Sequence, residues 1–211
     1  GTPLVDFDIQ LSYGSSENYI SDATTAPAAF DSDYIYEGVG LKFLNRAEWI
    51  GETTENYLTF GAEYYEQDRI TLRATPGNAT FQPEGNTKTF GVFAHNEMVF
   101  NDVFTVIGGL RLDYQKTKPG ELVPTTEETS GTGGSATLAM HYQATEQVAF
   151  FGSGSFTERL PVIDELYDSR VTTGADQPAA GTLENERSLN FELGASYTTD
   201  DVFSQGDQLS L

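Results

Sequence analysis

The two histidines, His95 and His141, are the side chains best suited to bind a metal ion or a haem. Both fall on the polar side of an alternating apolar–polar pattern, so each would need ligands from other segments. A single histidine on such a face more often makes hydrogen bonds to its neighbours. The chain also has no cysteine, which excludes thiolate metal sites. We therefore expect no metal site and no resident cofactor.

Catalytic chemistry has little support. Ser153 and Ser155 share the parity of His141 on a neighbouring predicted strand, which is the nearest approach to a Ser–His hydrolase, but no motif accompanies them. The run Gly131-Thr132-Gly133-Gly134 has the composition of a phosphate-binding loop. It precedes a predicted strand rather than a helix, so it lacks the context that phosphate binding needs. The sequence predicts a protein that is not an enzyme and has no catalytic residues.

The elements that carry these side chains are predicted to be strands. Apolar and polar residues alternate with a period of two in five clear segments, and weaker segments bring the predicted total to roughly nine strands. The clear segments are 7–13, 58–65, 104–114, 136–143 and 188–198, and the weaker ones are 34–48, 89–99, 147–157 and the C-terminal residues. Several are close to the roughly 9–11 residues that a strand needs to cross a bilayer.

Long and short connections alternate between these segments. The long ones are 14–33, 66–88, 115–133 and 158–187, and the short ones are 49–56, 100–102, 144–146 and 199–206. In an antiparallel up-and-down sheet, alternate connections lie at opposite ends of the strands. All the long connections are therefore predicted at one end, an asymmetry that is typical of outer-membrane barrels.

The composition leaves two all-β interpretations open. The 211 residues carry 32 acidic and 11 basic side chains, and this formal charge of −21 argues against a nucleic-acid partner. Only 38% of residues are hydrophobic while 12% are aromatic. The apolar strand faces could form the core of a soluble β-sandwich or the lipid-facing side of a barrel. Aromatic residues near predicted strand ends favour the barrel, where they would form girdles: Tyr13, Tyr36, Trp49, Tyr57, Tyr64, Phe90, Phe100, Tyr114, Phe156 and Tyr197.

The ends of the chain suggest a piece of a longer protein. The sequence opens Gly1-Thr2-Pro3 without a signal peptide, and it stops at Leu209-Ser210-Leu211, just as a strand begins. No run of 18 or more apolar residues is present, so no transmembrane helix is predicted.

Three motifs resemble the barrel of TonB-dependent outer-membrane receptors. The first is Phe90-Gly91-Val92-Phe93-Ala94-His95-Asn96-Glu97, followed after a tight turn by residues 103–114 with Gly109, Arg111 and Asp113. It is similar to the family's "G-x-F-A-x-x-E" strand and "L-T-x-x-x-G-x-R-x-D" strand. The second, Phe156 to Tyr167, is similar to the Arg-Ala-Pro box with its following Glu-Leu-Tyr.

The third motif, Leu183 to Gly194, is similar to the family's "N-P-x-L-x-x-E-x-S-x-N-x-E-x-G" box, but Ala180-Gly181 replaces its Asn-Pro. Haem receptors of this family usually carry a histidine between the second and third motifs, and residues 162–186 contain none. The Gly-Pro-His element of a subgroup that includes metal-ion receptors is also missing.

The resemblance implies roughly nine strands of an antiparallel up-and-down transmembrane barrel of about 22 strands. Residues 1–211 would be part of the barrel domain, without the plug domain or the signal peptide. The implied function is TonB-dependent uptake of a scarce nutrient across the outer membrane of a Gram-negative bacterium. An iron–siderophore complex is the first expectation, with haem or a metal ion behind it. The implied partners are outer-membrane lipid, the small nutrient, and the TonB complex through segments outside this chain. A passive porin-like or structural barrel, and a soluble secreted β-sandwich, remain alternatives.

The same resemblance assigns expected positions to the charged residues. Arg159, Tyr167 and Arg170 lie at the start of the longest connection, where cationic and aromatic groups could hold an anionic iron chelate. They and His141 are the predicted substrate-binding residues. The predicted lumen-facing or plug-facing residues are Arg111, Asp113, Asn190 and Glu192, whose main expected role is to brace the wall.

Overall fold

The computed structural model describes residues 4–22, 30–74, 83–121, 123, 127–167, 183–200 and 208–210. Within them the chain forms nine strands and one short helix. These are β1 (Asp6–Asp22), β2 (Phe30–Ile50), β3 (Thr54–Ala74), β4 (Gly85–Phe100), β5 (Phe104–Pro119), β6 (Thr129–Gln143), β7 (Val148–Arg159), α1 (Ile163–Tyr167), β8 (Glu186–Asp200) and β9 (Gln208–Ser210). No helix in this part of the chain is long and apolar enough to cross a membrane.

The strands form one antiparallel sheet in which every strand pairs with the next one in sequence, in the order β1 to β9. Connections therefore alternate between two ends of the sheet. We call the end with residues 51–53, 101–103 and 144–147 the turn end, and the opposite end, with residues 83–84, 120–121 and 160–167, the loop end. The predicted all-β, up-and-down topology is confirmed.

Strands β2 and β3 are longer than the alternating pattern predicts. Each has 21 residues, and β1 continues to Asp22, through much of the predicted connection 14–33. An antiparallel ladder needs only a backbone partner, so it continues into polar sequence wherever the neighbouring strand is also extended. The hairpin turn between β4 and β5 matches its sequence. Asn101 and Asp102 have φ of 50° and 57°, and the Val103 amide donates to the Phe100 carbonyl at 3.1 Å. Asn and Asp tolerate that conformation.

The two faces of the sheet differ in chemistry. On what we call the apolar face, large side chains are exposed, with Leu193 at 90%, Phe191 at 78% and Leu11 at 76%. No second layer covers this face among the described residues. A soluble β-sandwich would bury these side chains, so the sandwich interpretation is wrong. The opposite face, which we call the polar face, carries the charged and small residues.

Two aromatic rows cross the apolar face. Near the turn end, Phe100, Phe104, Tyr142 and Phe150 are successive cross-strand partners on β4 to β7, and their adjacent ring centroids lie 6.1 and 6.4 Å apart for the first two pairs. Nearer the loop end, Tyr64, Phe90 and Tyr114 are likewise successive partners. The two rows are ten residues apart on β4, which is about 33 Å along the strand and about 25 Å once a barrel tilt of about 40° is applied. That spacing matches the apolar band of an outer-membrane barrel.

Candidate functional site

A charged cluster occupies the middle of the polar face, on β2, β3 and β5. The Arg111 guanidinium donates from Nε and Nη2 to the two carboxylate oxygens of Asp113, at 2.7 and 2.6 Å. The same Nη2 also donates to Glu63. Lys42 lies 3.9 Å from the other oxygen of Glu63 and 5.2 Å from the ring centre of Phe93. One cation thus bridges two carboxylates, and a second cation borders them.

Gly91 makes this cluster possible. It lies on β4, between Glu63 on one side and Asp113 on the other. A Cβ atom at this position would lie 2.5 Å from Asp113 Oδ1 and 2.6 Å from Arg111 Nη2. The absence of a side chain therefore lets the guanidinium of Arg111 cross β4 and reach β3. Sequence reasoning identified Arg111 and Asp113 but missed Lys42 and Gly91, which only the strand register brings together.

At the loop end, residues 160–167 fold back over the polar face, and we call this segment the strap. The Leu160 side chain lies over Gly131 and Gly133 of β6, where added Cβ atoms would meet it at 2.8 and 3.3 Å. The Gln115 side-chain amide donates to the Pro161 carbonyl at 2.8 Å. Glycine often occurs within a strand where another segment approaches closely. The glycine-rich run of β6 thus leaves room for the strap to pack directly on the strand backbone.

Tyr167 anchors the end of the strap. It is 5% exposed and packs with Val123, Leu166 and Ile163. Its hydroxyl lies 2.9 Å from the Glu127 carbonyl and 3.2 Å from the Thr117 carbonyl, to which it can donate. The hydroxyl also lies 3.1 Å from Thr129 Oγ1. This predicted substrate-binding residue is therefore engaged with the wall.

A buried arginine extends the strap's attachment to β3. The Arg69 side chain is 5% exposed, and its Nη1 lies 2.5 Å from Asp164 Oδ1. Its guanidinium lies 5.1 Å from the ring centre of Tyr36. The strap thus begins after β7 and reaches across the sheet to β3. Sequence reasoning missed Arg69, because 95 residues separate it from Asp164.

Arg159 binds a carboxylate near each end of the longest connection, Glu165 and Glu186, and we call these contacts the clasp. Its Nη1 and Nη2 form a fork with the Glu165 carboxylate at 2.9 and 2.8 Å, and its Nε donates to Glu186 Oε2 at 2.7 Å. Arg159, together with the Val162 amide, holds the pKa of Glu165 below its ordinary value. An open cavity of about 310 Å³ borders this clasp, lined by Arg159, Pro161, Glu165, Leu183, Glu184 and Glu186.

The remaining predicted residues lie elsewhere on the polar face. His141 is exposed near the turn end of β6, opposite Thr105 and Phe151, and therefore at the other end of the strand from the strap. Asn190 lies 3.1 Å from Ser188 Oγ, and Glu192 pairs in register with Ser153. Arg170 lies outside the described residues.

The described residues contain no group of three or more His, Cys, Asp or Glu side chains that could hold a metal ion. The structure brings Arg159 and Tyr167 into one strap-centred assembly, and Arg111 and Asp113 into one cluster.

Comparison with known proteins places this architecture in context. The family model described as "TonB dependent receptor-like, beta-barrel" matches residues 3–208. Over 181 residues, the chain is 27% identical to the TonB-dependent heme receptor A of Haemophilus ducreyi, covering 74% of this chain and 24% of the receptor.

Solved structures share the fold at low identity. The copper transporter OprC aligns with a TM-score of 0.72 at 15% identity, over 95% of this chain and 34% of the transporter. The Serratia marcescens hemophore receptor HasR, a double mutant in complex with HasA and heme, aligns with a TM-score of 0.69 at 16% identity, over 99% of this chain and 39% of HasR. The Escherichia coli K12 ferric-catecholate import receptor Fiu gives a TM-score of 0.63 at 15% identity, over 98% and 36%. The chain thus spans between a quarter and two-fifths of these proteins.

Proposed function

The chain belongs to the TonB-dependent receptor β-barrel family of the outer membrane, and from this premise we propose that it forms part of the barrel wall and of the substrate-binding loops of a receptor that imports an iron–siderophore complex. Relatives and structural neighbours named for heme, copper and ferric catecholate support uptake of a scarce nutrient. The chemistry is binding followed by gated passage, without a covalent step.

The observation that carries the proposal is the strap. Its attachments to β3, β5 and β6 hold the first part of the 160–185 connection against the polar face at the loop end, and at the other end the Asn185 side-chain amide donates to the Thr132 carbonyl at 2.7 Å. Since Arg159 closes the base of that connection and Tyr167 is bound by the wall, these two residues position the loop. Arg170 is then proposed to contact the anionic chelate, with His141 meeting it deeper along the lumen.

A siderophore is favoured over haem by the residues available. Between Leu160 and Asn185 the sequence contains no histidine, cysteine or methionine. Its tyrosine, Tyr167, is 5% exposed and its hydroxyl is held by backbone carbonyls. Haem iron is held in proteins by such side chains, so this loop offers no free axial ligand. Binding of a chelate whose own oxygens enclose the iron needs only cationic and aromatic contacts.

The charged cluster of Arg111 and Asp113, together with Asn190 and Glu192, is proposed to face the plug. Exposed charged and amide groups on a lumen wall can form hydrogen bonds with a domain that fills the barrel. The TonB complex is proposed to act through segments outside this chain.

The test is growth and uptake of radiolabelled iron by a deletion strain carrying the full-length receptor on a plasmid, with each iron complex supplied as the single iron source. We expect the deletion to abolish uptake of one siderophore complex and the plasmid to restore it. Arg159→Gln should weaken that uptake, whereas Arg46→Gln, which removes an exposed arginine paired with Asp6 at 3.6 Å near the turn end, should not. If the deletion strain takes up every iron complex as well as the complemented strain does, the proposal that the nutrient contains iron is wrong. Uptake that persists without TonB would instead establish the passive barrel.

A further inference from the structure

Lysines are concentrated at one place on the apolar face. The sequence contains four lysines, and three of them, Lys88, Lys116 and Lys118, lie on β4 and β5 toward the loop end. Their side chains are exposed. By parity they continue the outward-facing columns that contain Phe90 and Tyr114. A chain of net charge −21 thus gathers most of its ammonium groups just beyond the aromatic row.

The register places two of these cations directly opposite each other. Lys88 pairs with Lys116, and Lys118 follows on the same face, opposite Asn86. Like charges that face each other across an antiparallel pair destabilise it. An anion bound between them would convert this repulsion into charge-assisted hydrogen bonds.

Neighbouring carboxylates occupy only part of the donor capacity. Lys88 Nζ lies 3.0 Å from Glu66 Oε1, and Lys116 pairs with Glu128. Within the described part of the chain the Lys118 side chain makes no hydrogen bond or ion pair, although its positive charge helps to lower the pKa of Glu128. Each ammonium group has three N–H donors, so donors remain free on all three lysines. Glu66 lies on β3 and Glu128 directly precedes β6, so both carboxylates reach the lysines from outside the β4–β5 pair.

The same two strands carry an apolar groove below the lysines. Descending from the Lys88–Lys116 pair, the next cross-strand pairs are Phe90–Tyr114, Val92–Leu112 and Ala94–Leu110. The last two pairs border an open groove of about 240 Å³. Successive pairs are about 7 Å apart along the strand. The lysines therefore lie just above the aromatic row, at headgroup height, and the groove lies within the apolar band.

We propose that Lys88, Lys116 and Lys118 bind the phosphate of a phosphorylated lipid of the outer leaflet, and that one acyl chain of this lipid lies in the Val92–Leu110 groove. The lysines could bind the negatively charged headgroup of an anionic amphiphile, and the apolar groove next to them could accommodate its hydrocarbon chain. The site faces away from the lumen, so it is separate from the nutrient path and independent of the identity of the nutrient.

The test uses the full-length receptor in detergent and two probes, phosphorylated lipid A and the same lipid with its phosphates removed. Binding is measured by native mass spectrometry over a titration of each lipid. Each lysine near a charged lipid surface contributes about 1 kcal/mol. The K88Q/K116Q/K118Q variant should therefore bind phosphorylated lipid A about a hundredfold more weakly, since 1.4 kcal/mol corresponds to a factor of ten.

Two further variants keep the test decisive. K42Q removes the fourth lysine, on the polar face, and should bind like the unmodified receptor. K118Q disturbs no ion pair with a described residue, so it should retain a fully folded barrel and still lose several-fold in affinity. Equal binding of the two lipids by the unmodified receptor, or equal binding of phosphorylated lipid A by the receptor and the folded triple variant, would overturn the proposal.

Discussion

Tyr167→Phe is the sharpest perturbation of the strap, because it removes one oxygen atom and leaves the ring in place. That oxygen meets two backbone carbonyls, those of Glu127 at 2.9 Å and Thr117 at 3.2 Å, and the Thr129 hydroxyl at 3.1 Å. The phenylalanine ring would still pack with Val123 and Leu166. The substitution therefore tests the polar anchor alone.

The expected magnitude follows from burial. Tyr167 is 5% exposed and Thr117 is 1% exposed, so water has little access to the carbonyl that loses its donor. Losing one net hydrogen bond costs about 1 kcal/mol, and leaving a buried polar group unsatisfied raises the cost to about 1–3 kcal/mol. The strap should consequently open about 5 to 150 times more often, at 1.4 kcal/mol per factor of ten.

Hydrogen exchange followed by mass spectrometry measures that opening directly. Within α1, the amides of Glu165 and Leu166 both donate to the Val162 carbonyl at 3.0 Å. Detachment of the strap frees this turn and breaks both hydrogen bonds, so the exchange rate of these amides in the detergent-solubilised receptor should rise by up to the same factor. Amides in the middle of β5 should be unaffected, since the barrel wall stays closed.

A matched control is Tyr142→Phe. The Tyr142 hydroxyl makes no hydrogen bond with the described residues, and its side chain is 48% exposed on the apolar face. This variant should leave strap exchange unchanged. If Tyr167→Phe alters the exchange of Glu165 and Leu166 by less than twofold, the hydroxyl is not the anchor, and the strap is held by its other contacts, such as Arg69–Asp164 and Arg159–Glu165.

Three further predictions concern the wall and the clasp. Gly61→Ala should destabilise the barrel by about 2 kcal/mol or more, because the added Cβ would lie 2.2 Å from a backbone carbonyl on β2. A heat-modifiability gel should therefore show less folded receptor in the membrane. Gly108→Ala, whose added Cβ would have no atom within 4 Å, should be neutral in that gel. Because the pKa of Glu165 is lowered, its bond to Arg159 stabilises the strap fully at pH above the ordinary carboxyl pKa of 4.5, and this stabilisation is lost as the pH falls through the lowered pKa. The hydrogen-exchange rate of the strap amides, corrected for intrinsic rates, should therefore rise at that low pH. Glu165→Gln should abolish the rise. Arg111→Met should cost about 1–3 kcal/mol in urea unfolding, below the value for a fully buried pair because the side chain is 32% exposed; a loss under about 0.5 kcal/mol would mean that the cluster does not brace the wall.

The face of each strand could be predicted from the sequence, but its ends could not. The alternation from Phe104 to Tyr114 fixes which side chains of β5 point outward, because a strand has a side-chain period of two. The Ser- and Asp-rich residues 14–22 have no apolar alternation, yet they are extended because β2 supplies hydrogen-bond partners opposite them. Such pairing depends on a neighbouring strand, so local composition carries no signal for it.

The candidate site was predictable only in part, for a related reason. Arg159, Tyr167, Arg111 and Asp113 were recognisable from their motifs, and the structure gives each of them specific partners. Those partners depend on the three-dimensional register: Arg69 meets Asp164 across four strand boundaries, and Gly91 opens a path for a side chain of the next strand. The glycines of β6 carried a usable signal, since glycine on the polar face of a strand indicates the close approach of another segment.

The strictly sequential pairing of β1 to β9 also constrains how such a wall can change during evolution. Duplicating or deleting one strand would move every later connection to the opposite end and expose each receptor loop to the wrong compartment. Duplicating a hairpin of two strands leaves the sidedness of all other loops intact. The natural unit of insertion, deletion or recombination in this wall is therefore the hairpin, and a connection such as 160–185 can diversify without disturbing the ladder that carries it.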